Sequence, residues 1–176
     1  METNRRLALD VIREYQQTMP VDVWAIASAL DITVGHLPMP QNVSGKIVND
    51  RGSPPTISII INAAHHLNRR RFTLAHELAH YVLHRDQITE VVDNTMFRVG
   101  RQTLNATEER QANQLAANIL MPMPKIREYR AQGQLDAKEL AQTFGVSEQA
   151  MRIHIGQQID VVDPRGAEFE DEFEDG

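Results

Sequence analysis

Residues 69–84 combine the period of an α-helix with two histidines set four positions apart, and this segment limits the fold more than any other. Its apolar residues recur every three or four positions and include Phe72, Ala75, Leu78, Ala79 and Val82. That period predicts an amphipathic helix. Because side chains four residues apart lie on one helical face, His76 and His80 can bind the same cation. The fold must therefore pack this helix against an element that completes the site.

His76, Glu77 and His80 form the pattern H-E-x-x-H, which indicates a catalytic metal. Two neutral imidazoles suit a divalent cation, Zn²⁺ above all, and Glu77 is close enough to the first imidazole to reach a water on the ion. Such a metal lowers the pKa of water and polarises a carbonyl, while Glu77 acts as general base. Both roles predict hydrolysis. The alternative is a helix with surface histidines, since the pattern fixes only three positions.

A second predicted helix can supply the third protein ligand that a catalytic zinc needs. Asn105 and Glu108 form a capping box at its start, and Pro122 and Pro124 end it after about Leu120. Glu108 and Glu109, in the first turn of this helix, are the candidates for that ligand.

Glu109 is the preferred third ligand, because Glu108 already serves the helix cap. Asn113 lies one turn further on the same face, where its amide could bond a ligand histidine from behind. Ala112 and Ala116 are small enough to let the two helices approach closely. The alternative is that Glu109 is an exposed charge that interacts with the helix dipole.

Tyr81 and His84 are candidates for the cleft or for stabilising an oxyanion, as are the arginines of the chain. His84 continues the spacing of the histidines, but eight helical residues rise about 12 Å, which is too far for His76 and His84 to share one ion. His84 could equally be a satisfied surface residue. The remaining histidines, which have no evident metal partner, are His36, His65, His66 and His154.

The rest of the chain predicts an α+β fold with a small three-stranded sheet packed on helices. Two helices come first, over residues 7–15 and from Pro20 to Leu30. β-branched stretches at 32–37, 44–48 and 56–61 then predict three short strands. Residues 86–103 predict no element. Three short helices follow the prolines, at 125–131, 136–144 and 147–158.

The last two of these helices resemble a helix-turn-helix, with Gly145 in the turn and Ser147 capping the second helix. Gln149, Arg152 and His154 are the side chains there that could contact nucleic acid. Arg152 is the only full positive charge among them, whereas DNA binding usually needs several phosphate contacts. A helical packing or partner-docking element is therefore the favoured interpretation, and DNA remains a candidate regulatory ligand.

Composition excludes several classes of protein. The chain has no cysteine, so it can form neither a disulfide nor a thiolate metal site. We find no signal peptide and no apolar run long enough to span a membrane, and expect a soluble, cytoplasmic protein. Residues 160–176 hold eight acidic residues and one arginine, while the remainder is close to neutral. This end is expected to be a solvated, flexible tail. The alternative is a decoy that mimics nucleic acid or shields a basic surface, and the tail could also occlude the cleft.

Two segments of the chain resemble the ImmA/IrrE family of metallo-endopeptidases. They are RRRFTLAHELAHYVLH, residues 69–84, and EERQANQLAANILMP, residues 108–122, and the resemblance extends over residues 21–123. It implies that His76, His80 and Glu109 bind the metal and that Glu77 is the catalytic base, with Asn113 in support. It also implies a zincin-like metallopeptidase domain, which we place at 1–124. The helix-turn-helix-like subdomain follows at 125–159, and the acidic tail at 160–176 is an addition that the resemblance does not lead us to expect.

The same resemblance implies cleavage of a partner protein in a bacterial or phage regulatory circuit. The expected substrate is an XRE-type helix-turn-helix repressor, whose loss turns on stress, mobile-element or phage-defence genes. A substrate strand could add to an exposed edge of the sheet near Ile57–Ile61. Two alternatives stay open: a transcriptional regulator or binding module that does not cut its partner, with or without metal, and a metalloprotease toxin with another target.

Overall fold

A computed structural model of the protein describes residues 2–50, 56–85, 90–94, 106–133 and 136–162. The elements run in the order α1 (Glu2–Tyr15), α2 (Val23–Ala29), β1 (Ile32–Leu37), β2 (Val43–Asp50), β3 (Thr56–Asn62), α3 (Leu67–His84), β4 (Glu90–Asn94), α4 (Ala106–Leu120), α5 (Met123–Ala131), α6 (Ala137–Phe144) and α7 (Glu148–Val162). This confirms the α+β class.

The sheet has four strands in the order β1-β3-β2-β4. β1 runs parallel to β3, while β2 is antiparallel to both β3 and β4. Three of these strands match the β-branched stretches of the sequence, but β4 lies where the sequence predicts no element. Because β3 has a neighbour on each side, a substrate strand cannot add at Ile57–Ile61, and that expectation was wrong.

Local capping explains several of the helix ends. The Asp22 side chain accepts hydrogen bonds from the backbone N–H groups of Trp24 and Ala25, so α2 begins at Val23 rather than at Pro20. Asp136 caps α6 through the Glu139 N–H, 2.7 Å away. The start of α4 matches the sequence prediction within a residue, although Asn105 lies outside the described residues.

The turn between α6 and α7 has the local structure that its sequence predicts. Gly145 ends α6 in the left-handed conformation, at φ 63°, where a residue without Cβ is favoured. Ser147 accepts a hydrogen bond from the Ala150 N–H and so caps α7. α7 continues to Val162, so it includes residues 160–162, which the sequence assigns to the acidic tail; the rest of that tail, 163–176, lies outside the described residues.

One hydrophobic core joins the helices and the sheet. Its fully buried members come from nearly every element and include Ile26, Ile47, Ile59, Leu78, Ile119, Ile126, Phe144 and Met151. Side chains of α5–α7 thus pack into the same core as those of the sheet and α3. Among the described residues, no helix is both long and apolar enough to cross a membrane.

Candidate metal centre

α3 carries the H-E-x-x-H residues through the interior of the protein. The side chain of His66 caps this helix through the Asn68 N–H, and every residue from Thr73 to His80 is buried. His76 is 5% exposed, whereas Glu77 and His80 are fully buried. These three residues therefore lie on a helix whose position is fixed on several sides by the core.

His76 and His80 converge as their spacing predicts. Their Nε2 atoms are 2.9 Å apart, and the two rings are nearly perpendicular, at 84°. Burial, reinforced by the neighbouring His76, lowers the pKa of His80 to about 3. A buried imidazole of this kind stays neutral near pH 7, which is the form that binds a metal.

Glu109 of α4 completes the group. Its carboxylate oxygens lie 3.5 Å from His76 Nε2 and 3.7 Å from His80 Nε2. Ala112 and Ala116, on the same helix, are fully buried, as the close approach of α4 to α3 requires. The Glu109 side chain keeps 28% of its surface exposed, so the cluster meets solvent on one side.

The donor atoms have the spacing that zinc requires. Two donors that each lie about 2.0–2.1 Å from a tetrahedral ion are roughly 3.3–3.4 Å apart. The two Nε2 atoms are 2.9 Å apart, while Glu109 Oε2 lies 3.5 Å from His76 Nε2 and Glu109 Oε1 lies 3.7 Å from His80 Nε2. These distances lie around that value, and one donor atom from each residue falls within 4.8 Å of the others. Two imidazoles and a carboxylate with one open side therefore fit a catalytic zinc.

Gly45 of β2 lies beside Glu77. A Cβ at Gly45 would lie 3.8 Å from Glu77 Oε1, but only 2.7 Å from Thr73 Cγ2 and 2.9 Å from the Ile60 oxygen. Only glycine therefore lets the strand approach α3 this closely. Gly45 is not among the residues predicted for the site, although a glycine inside a β-branched stretch is a signal of close backbone approach.

His84 lies behind His80, on the side away from the other two donor atoms. Its Nδ1 is 3.2 Å from His80 Nδ1, and its Nε2 is 3.3 Å from Gln111 Oε1 on α4. It is 6% exposed. This placement favours support of His80 over a role in the cleft. Gln111 is not among the residues predicted from the sequence.

Tyr81 is half-buried and already contacts another side chain. Its hydroxyl accepts a hydrogen bond from Arg85 at 3.1 Å, and the guanidinium carbon of Arg85 lies 4.9 Å from the ring centroid. The metal-binding group of His76, His80 and Glu109 does not include it. Its contribution to an oxyanion site stays a prediction.

Asn113 is exposed on α4, and within the described part of the chain no hydrogen bond joins it to His76 or His80. Its supporting role stays a prediction. Glu108, in the first turn of α4, is half-buried and lies outside the metal-binding group, so the choice of Glu109 over Glu108 agrees with the geometry.

The other histidines have local structural contacts. His65 Nε2 lies 3.1 Å from the Gln41 backbone oxygen, and His36 stacks on Trp24. His154 is 3% exposed, and its Nε2 lies 2.8 Å from the Met121 backbone oxygen. The expectation that His154 could contact bases was therefore wrong, because its ring packs into the core.

The two residues singled out for nucleic acid remain on the surface of α7. Gln149 and Arg152 are both exposed, but the guanidinium of Arg152 forms two hydrogen bonds with Glu148, at 2.6 and 3.0 Å. This ion pair offsets the one positive charge that the helix would offer to a phosphate.

Comparison with known proteins gives one family. A family model described as peptidase M78, IrrE N-terminal-like domain, matches residues 27–155. The match covers the sheet, α3 and α4, and continues through α5 and α6 into α7, whereas the resemblance carried by the sequence motifs extends over residues 21–123. No curated protein shows significant similarity to the chain.

Proposed function

Since the chain belongs to the peptidase M78 family, we propose that it is a zinc-dependent endopeptidase that cleaves a regulatory protein. One observation carries the proposal: His76, His80 and Glu109 offer three donor atoms within 4.8 Å of one another, beside a buried glutamate. His76, His80 and Glu109 would hold the metal. The bound zinc would supply Lewis-acid chemistry, which polarises a peptide carbonyl and acidifies water.

Glu77 is the proposed general base. Its carboxylate is fully buried next to the first ligand histidine, where it can take a proton from the attacking water and pass it to the departing amine. In this proposal Glu77 transfers the proton. The metal-binding residues and the packing of α4 on α3 hold the Glu77 carboxylate in place beside the metal site.

A substrate strand is proposed to add to β4. Gly45 of β2 lies beside Glu77, and Asp93 of β4 pairs with Gly45, so β4 is the next strand outward from the base. Within the described strands β4 pairs only with β2, which leaves its outer edge for an extended peptide. Backbone pairing there would hold the scissile bond near the cluster.

The proposed substrate is an XRE-type helix-turn-helix repressor, whose cleavage would derepress stress, mobile-element or defence genes. This step rests on the resemblance to ImmA/IrrE proteins, in which such partners are expected. DNA as a regulatory ligand has less support, because His154 is buried and Arg152 pairs with Glu148.

The test is cleavage of an XRE-type repressor, and the first candidate is any such repressor encoded next to the gene of this protein. The full chain with zinc is mixed with that repressor, and fragments are identified by mass spectrometry, with a chelator-treated sample in parallel. Glu77→Gln should retain zinc and produce no fragments, whereas Glu108→Gln, an equal loss of charge outside the metal-binding group, should cleave normally. Cleavage by Glu77→Gln at the wild-type rate would refute the mechanism.

A further inference from the structure

A line of side chains runs from the metal-binding group to α4 on the far side of His80. His80 uses Nε2 toward His76 and Glu109, and its other nitrogen, Nδ1, lies 3.2 Å from His84 Nδ1. His84 Nε2 in turn lies 3.3 Å from Gln111 Oε1. His80 and His84 are buried, whereas Gln111 is exposed at the outer end.

We infer that His84 and Gln111 are positioning residues that fix the tautomer of His80, so that its Nε2 lone pair always faces the metal. The inference rests on the proposed zinc site and deepens it by assigning the support of one ligand. His84 therefore supports a metal ligand, which differs from the two roles considered for it from the sequence, in the cleft or in stabilising an oxyanion.

The direction of the hydrogen bonds follows from Gln111. Its amide oxygen can only accept, so the facing His84 Nε2 carries a hydrogen. In the neutral ring the other nitrogen, Nδ1, is then bare and accepts from His80 Nδ1–H. His80 is left with its hydrogen on Nδ1 and a free lone pair on Nε2, which is the tautomer that binds a metal.

The reversed direction would block the metal. If His84 donated through Nδ1, His80 would accept at Nδ1 and carry its hydrogen on Nε2, which points at His76 and Glu109. Such a ring cannot bind zinc through Nε2 until the hydrogen on that nitrogen is lost or moves to Nδ1. With Gln111 Oε1 facing His84 Nε2, only the first direction fits the arrangement, and a carboxylate at the same position would enforce it, because both of its oxygens can only accept.

Nuclear magnetic resonance of the imidazole nitrogens in the metal-free full chain gives a direct readout. The expected spectrum shows His80 with hydrogen on Nδ1, and His76 donating from Nε2 across the 2.9 Å contact. A His80 ring with its hydrogen on Nε2 would overturn the inference. Because no zinc is present, this result does not depend on whether the protein is a peptidase.

Zinc affinity, measured by competition with a chelator, tests the support itself. His84→Phe keeps an aromatic ring and removes both nitrogens, and it should weaken zinc binding by about 10–100-fold. Gln111→Met, at an exposed position where folding is not at risk, should weaken binding by about 10-fold. Unchanged affinity in both variants would overturn the inference.

The Gln111→Glu variant distinguishes an effect of the hydrogen bond on zinc affinity from an effect of the added charge alone. It should bind zinc more tightly than Gln114→Glu, which adds the same charge at another exposed site on α4. In the His84→Phe background this difference should vanish, because the chain of hydrogen bonds is broken. A difference that persists without His84 would show a purely electrostatic effect and overturn the inference. Failure of the wild type to bind zinc would instead refute the proposed function.

Discussion

Arg71 Nε donates a hydrogen bond to the backbone oxygen of Gly145 across 3.0 Å, and so joins the metal-binding helix to the turn between α6 and α7. Its Nη2 also reaches the backbone oxygens of Val21, at 2.9 Å, and Phe144, at 3.4 Å. The carboxyl end of α6 carries a partial negative charge that favours a cation. The C-terminal helix pair is therefore docked on α3 by a buried guanidinium.

Replacement of Arg71 by Met should lower the free energy of unfolding by about 2–4 kcal/mol, because it leaves buried carbonyl oxygens without a donor. Chemical denaturation measures the change. Arg70→Met is the matched control, since Arg70 precedes it on α3 and is only half-buried, and it should change stability by less than about 1 kcal/mol. Equal losses in the two variants would contradict this role of Arg71.

The Arg71 contacts also show where sequence reasoning reaches its limit. Periodicity and caps predict α3, α4 and the strands β1, β2 and β3 because those signals are local. The partners of Arg71 lie 50 and 74 positions away in sequence, and no local pattern indicates them. The same holds for Gln111, which acquires its role only when α4 packs on α3.

β4 and His154 illustrate two further reasons. β4 is short and forms an edge, so pairing with β2 rather than its own sequence determines it. His154 occupies a position in α7 that a DNA-binding helix could expose, but here the helix turns that face into the core. By contrast, the convergence of His76, His80 and Glu109 could be anticipated. Helical spacing puts the two histidines on one face, and the cap at Glu108 together with the family resemblance indicates Glu109 as their partner.

Replacement of Glu109 by Gln should weaken zinc binding by more than the roughly 10–100-fold that loss of a supporting hydrogen bond costs, since it neutralises a ligand. Isothermal titration with zinc measures this. Glu108→Gln removes the same charge from the preceding residue and should bind zinc as the wild type does. Similar losses in both variants would indicate a general charge effect and argue against Glu109 as a ligand.

Replacement of Gly45 by Ala should destabilise the protein by about 1–3 kcal/mol, because the added methyl group overlaps Thr73 and the Ile60 carbonyl. The shift of β2 that relieves this contact also displaces the backbone beside Glu77, so kcat should fall. Gly35→Ala is the matched control, since the nearest atom to its Cβ is 3.9 Å away. If both alanine variants unfold at the same temperature, the tight contact at Gly45 has no energetic consequence.

His154 should make the stability of the protein depend on pH. Burial lowers the pKa of His154 below its usual value, while the hydrogen bond to the Met121 carbonyl acts in the opposite direction. Below about pH 6.5 the unfolded chain takes up a proton at this position that the folded protein resists. The unfolded state then binds more protons, so stability should fall as pH drops through this range and be recovered toward neutral pH.

His154→Gln keeps a donor for Met121 but cannot ionise, so its free energy of unfolding should decline less between pH 7 and 5, as measured by denaturation at a series of pH values. A His154→Gln variant with the wild-type pH dependence would show that the buried ring contributes nothing to it.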